Sequence, residues 1–137
     1  MAARYKARML REGPIPLALH GPFEYVAGLT LVAAPLVLDF DSGAATAVCV
    51  VAGVLVIVVA ATTVGPTSLV NQLPVAVHVL LDYVLAAALI AAPFLFGFSD
   101  EGEPTAFLIG LGLLHLLVSI GTRFAKPAPA EPAAERD

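Results

Sequence analysis

The chain has 137 residues, of which 59% are hydrophobic and 13% charged, and its formal net charge is −4. A soluble domain is about one-quarter charged, so this composition excludes one and points to a membrane protein. No basic surface suggests nucleic acid as a partner, and a single cysteine, Cys49, excludes an internal disulfide.

In chain order, residues 1–16 carry Arg4, Lys6, Arg8 and Arg11, then Pro14 and Pro16. A basic start before an apolar run fits a secretory signal, but this run contains Glu24 and recurs later in the chain. It is therefore read as a retained helix behind a basic cytoplasmic segment. Apolar stretches near 19–40, 43–64, 75–98 and 104–124 are each long enough, at about 20 residues, to cross a hydrocarbon core of about 30 Å. Gly21 and Pro22 predict a broken first turn, or a helix that starts at Pro22. Asp39, Asp41 and Ser42 make an acidic outer turn. The second stretch holds Ala45, Cys49 and Gly53 at four-residue spacing, a stripe that lets helix backbones approach in lipid, so Cys49 is read as a packing residue. Residues 65–74 are uncharged and rich in turn formers, and they predict a cytoplasmic connection. Asp100, Glu101 and Glu103 make a second acidic turn, and Arg123 and Lys126 close the last stretch.

The expectation is an all-α integral membrane protein with four transmembrane helices arranged as two tandem parallel hairpin repeats. Its parts are the basic segment 1–16, a first hairpin 17–64, the connecting loop 65–74, a second hairpin 75–124 and a disordered tail 125–137. Counting Lys and Arg places both termini in the cytoplasm of a bacterial-type inner membrane.

The repeat is visible directly. Shifted by 58 positions, His20–Phe40 falls on His78–Phe98 with eight of 21 residues identical, among them His20/His78, Tyr25/Tyr83, Pro35/Pro93 and Phe40/Phe98. Glu24/Asp82 keeps the carboxylate. Apolar bias alone does not place a His, an acid–Tyr pair, a Pro and a Phe in one register, so the chain is an internal duplication. Each copy carries a small-Pro-bulky tripeptide, Ala34-Pro35-Leu36 and Ala92-Pro93-Phe94. Together with the two-helix repeats, this resembles the SPW-repeat membrane proteins over about residues 20–124, with Ser and Trp of the motif replaced. That resemblance implies a four-helix membrane fold and brings no activity with it.

Two features carry possible chemistry. Pro35 and Pro93, set about five residues before the outer helix ends, predict paired kinks, because each removes an amide donor and crowds the carbonyl four residues back. His20-x3-Glu24-Tyr25 and His78-x3-Asp82-Tyr83 place His and acid one turn apart on one face. Ionised groups at such depth usually have partners or water. His115 is expected at a depth comparable to that of Asp82, with only Ile57 at its equivalent position in the first repeat. Three readings stay open. The polar sets tie helix starts and loops together, or His20, Glu24, His78 and Asp82 hold a divalent Zn, Mn or Fe ion. In the third, Glu24 and Asp82 are cation or proton sites on a path that needs oligomerisation.

No Ser/His/Asp set, phosphate loop or CxxC is present, so an enzyme is not expected. The leading expectation is a structural or accessory membrane subunit that forms homo-oligomers or docks onto another membrane subunit. An ion or proton channel, a small transporter, or a divalent-metal-binding protein are the alternatives. Its surroundings are the lipid bilayer, and no resident cofactor beyond such a metal is expected.

Overall fold

The computed structural model describes residues 13–124, so the basic residues up to Arg11, Lys126 and the proposed tail lie outside the described residues. Four helices account for most of it: α1 (Leu17–Val37), α2 (Gly43–Thr62), α3 (Val75–Leu95) and α4 (Gly102–Gly121). All four are long and apolar enough to cross a membrane. Their outward faces carry large apolar side chains such as Leu29, Leu36, Leu55, Leu80, Phe94 and Leu117, a surface suited to acyl chains and not to water.

α1 packs most extensively on α2, and α3 on α4. Small residues make this approach possible. A Cβ at Gly53 would lie 2.6 Å from the Gly28 carbonyl oxygen, and one at Gly112 would lie 3.1 Å from that of Ala86. Ala45 and Cys49 on the same stripe as Gly53 are fully buried, which makes Cys49 a small core residue.

The first helix starts earlier than the Gly21-Pro22 pair predicted. Pro16 is its N-cap, and Gly21 and Pro22 are both helical. At the outer ends, the helices stop three residues before Phe40 and Phe98. Asp39 and Gly97 adopt left-handed conformations (φ 52° and 72°). The amides of Phe40 and Phe98 then donate to the carbonyls of Pro35 and Pro93 at 3.1 and 2.9 Å. This is a Schellman closure, and each proline is the third residue from its helix end. The prolines thus belong to a helix stop, with only two helical residues beyond each.

Two short β pairings complete the fold. Strand β1 (Ile15–Pro16) runs parallel to β2 (Thr122–Arg123), and an isolated parallel bridge joins Thr63 to Leu73. The two are copies of one another, because Leu73-Pro74 repeats Ile15-Pro16. They bring the start of α1 to the end of α4, and the end of α2 to the start of α3.

The interior is divided lengthwise. Towards the α1–α2 and α3–α4 turns it is apolar, built from Leu31, Ala45, Cys49, Leu89, Phe98 and Leu108. Towards the β pairings it is polar.

Candidate metal centre

Among the described residues, the buried polar or charged side chains are His20, Glu24, Thr63, His78, Asp82, His115, Ser119 and Thr122. They gather in one cluster. α1 supplies His20 and Glu24, and α3 supplies His78 and Asp82. One helical turn between His and acid turns both side chains of each helix towards the other helix. Asp82 lies seven residues into α3, at a depth of about 10 Å from its start.

At the centre, Nε2 of His20 and His78 are 3.3 Å apart. His20 Nε2 is 3.2 Å from Asp82 Oδ2 and 3.7 Å from Glu24 Oε1. His78 Nε2 is 3.4 Å from both Glu24 Oε1 and Asp82 Oδ2. One ligating atom from each of the four residues thus falls within 4.8 Å of all the others.

The outer nitrogens of both rings are held by threonines of the opposite repeat. His78 Nδ1 is 2.9 Å from Thr63 Oγ1, at the end of α2. His20 Nδ1 is 2.9 Å from Thr122 Oγ1, just past α4. Each hydroxyl already donates its one proton to a carbonyl, Thr63 to Val59 and Thr122 to Val118, at 2.6 Å. The hydroxyls must therefore accept from the imidazoles, which assigns the proton of each neutral ring to Nδ1. Both Nε2 lone pairs then point inward beside two carboxylate oxygens. With both rings neutral and both acids ionised, four electron pairs converge there.

The second repeat adds polar groups that the first does not have. Ser119 Oγ donates to Asp82 Oδ2 at 3.2 Å. His115 Nε2 approaches Asp82 Oδ1 at 3.5 Å and has no hydrogen-bond partner, although the residue is 1% exposed. Its ring lies beside Phe23, with centroids 6.2 Å apart. The sequence pairing of His115 with Ile57 is corrected by the helix bounds. α4 aligns on α2 one position further along than α3 aligns on α1. The equivalent of His115 is therefore Val56, and that of Ser119 is Ala60.

Tyr25 and Tyr83 stay outside the cluster. Both are half-buried, and the Tyr25 hydroxyl donates to the Thr67 carbonyl at 3.1 Å. Tyr25 therefore ties α1 to the connection that follows α2. Thr63, Thr122 and Ser119 were missed as site residues, and the sequence carried one signal for the threonines. Each begins the extended residues after its helix, in a repeat register offset by one.

A model of the SPW repeat domain matches residues 18–127. The chain belongs to the SPW repeat family. No curated protein and no solved structure matches it. Membership agrees with the four apolar helices and identifies a multi-pass membrane protein. The two small-Pro-bulky tripeptides, Ala34-Pro35-Leu36 and Ala92-Pro93-Phe94, fall at the helix stops and far along the helices from the histidines and acids.

Proposed function

We propose that this SPW-repeat protein binds one divalent metal ion of the zinc type inside the membrane, and that the ion joins its two repeats. The edge lengths of the ligand set carry this reading. Metal–nitrogen and metal–oxygen bonds of about 2.0–2.2 Å give a tetrahedron with edges of roughly 3.3–3.6 Å. Five of the six separations in the His20, Glu24, His78, Asp82 set lie between 3.2 and 3.7 Å. Two imidazoles with Nδ1–H fixed by threonine match the second-shell arrangement of metal-ligating histidines. A divalent cation also balances both carboxylates, whereas protonating both rings would oppose two N–H groups across 3.3 Å.

The role is binding and not catalysis. The ion would link α1 to α3, the pair of helices that the main helix contacts leave apart, so a structural or accessory function and a metal site are one proposal. The apolar interior beyond Leu31 and Leu89 favours a bound ion over a path through a single chain. Association with a second copy or another membrane subunit belongs to the same reading. Exposed Ala87, Ala88 and Gly110 offer flat strips for it.

The test is native mass spectrometry of detergent-purified protein, stripped of metal and then titrated with Zn²⁺. One ion per chain is expected for the wild type and none for His20→Ala/His78→Ala. A wild type that takes up no ion, or a double variant that still takes up one, overturns the proposal.

A further inference from the structure

The duplication leads one to expect two symmetric approaches to the centre, one at the end of each second helix. The two differ. At the end of α2, a recess of about 20 Å³ runs between the Gly65–Thr67 turn and the centre, with His20, Glu24, His78 and Thr63 among its walls. That volume holds one water or one bare ion. At the end of α4 the corresponding positions are filled. Ser119 stands where Ala60 stands and hydrogen-bonds Asp82. Phe124 stands where Gly65 stands, and its ring lies against both imidazoles, with centroids 5.2 Å from His20 and 6.1 Å from His78.

A third approach, larger but apolar, reaches Glu24 and Asp82 from the side. It is a crevice of about 300 Å³ between α2 and α3, walled by Leu55, Val56, Val59, Leu81 and Leu85. Its walls are almost wholly hydrocarbon, and moving an unshielded charge out of water into such surroundings costs many kcal/mol, so a divalent ion does not use it. Along the helix axes the other way, Leu31, Leu89, Phe98 and Leu108 fill the interior.

Resting on the metal reading above, we infer that, among the described residues, the ion loads and leaves through the Gly65 recess alone, from the membrane face that carries the 63–74 connection. Phe124 plugs the twin route. Gly65 sets this difference by having no side chain. A Cβ there would meet nothing closer than 3.9 Å, so the turn has space for a side chain at a position that lines the recess.

The experiment is stopped-flow uptake and chelator-driven release of Co²⁺ and Zn²⁺ by purified full-length protein. Wild type, Gly65→Phe, Phe124→Ala and the double variant are compared, each checked by thermal melting. A plug alters the barrier and not the end states. Gly65→Phe should therefore slow uptake and release together by about tenfold or more, with the ion stoichiometry and dissociation constant held, a rate effect without an affinity effect. Phe124→Ala opens the twin route, so the double variant should recover fast uptake. In oriented proteoliposomes, wild type should load only from the face of the connection. A folded Gly65→Phe protein that loads at the wild-type rate, or wild type that loads equally from both faces, overturns this inference while leaving the metal site standing. If Gly65→Phe does not fold, Phe124→Ala decides alone, and unchanged uptake in it overturns the inference. A wild type that binds no ion overturns both.

Discussion

The two repeats agree in their first helices and differ in their second. α1 and α3 each give a His and an acid to the centre, and each ends in the same proline-containing helix stop. α2 and the turn after it offer Val56, Ala60 and Gly65 where α4 and the residues after it offer His115, Ser119 and Phe124. The shared half builds the candidate ligand set, and the unshared half decides what surrounds it. A duplicated chain can thus keep a two-fold site and still give it one preferred carboxylate and one open side.

The strongest way to break the comparison is at the shared half. His20→Ala and His78→Ala should each abolish stoichiometric Zn²⁺ uptake. Each should also destabilise the protein by about 3–5 kcal/mol, since a buried charge loses its partner. Detergent unfolding curves and metal titration together read both effects, and a marked inequality between the two variants would show that the site is not two-fold. Next in size are the clamps. Thr63→Val and Thr122→Val keep the shape and remove the hydroxyl that receives Nδ1–H, so each should weaken Zn²⁺ binding by about 10–100-fold, the usual cost of losing the group that orients a ligating imidazole. Calorimetric titration checks this, and unaltered affinity in both would remove the assignment of the Nδ1–H form.

A smaller effect is expected at the unshared half. His115→Val makes α4 resemble α2. It should reduce affinity by about tenfold, the low end for an outer-shell partner of a ligand. Loss of all binding would instead make His115 a direct ligand. The smallest effect separates packing from chemistry. Gly112→Ala places a Cβ 2.9 Å from Ile90 Cγ1 and should lower the melting temperature. Gly110→Ala meets open space and should change stability by less than about 0.5 kcal/mol.

Much of this was legible in the sequence because it depends on residues with few substitutes. Four spans follow from apolar length. A His, an acid and a Pro recurring at one offset mark the repeat and four members of the cluster. The threonines were hidden for a physical reason. The outer turn between α3 and α4 is one residue longer than that between α1 and α2, so the 58-position register that aligns His20 with His78 sets Thr63 against Gly121. The helix stops were hidden too. Asp39 takes the left-handed conformation that Gly97 adopts at no steric cost, and an aspartate in an acidic turn gives no separate sign of it. Helix length judged from apolarity runs on to Phe40 and Phe98, past the observed ends at Val37 and Leu95.

The crossed links between repeats also govern how the protein comes into being. His78 finds Thr63 as soon as the third helix enters the bilayer, because both lie on either side of the 63–74 connection. His20 must wait for Thr122, 102 residues later in the chain. During synthesis Glu24 therefore meets His78 with the third span, while the His20 Nδ1–H lacks its Thr122 acceptor until the last span has been delivered. Closure of the centre reports that all four spans are in place. A chain truncated before α4 would carry an exposed polar face within the membrane, the kind of surface by which quality control recognises an unfinished product.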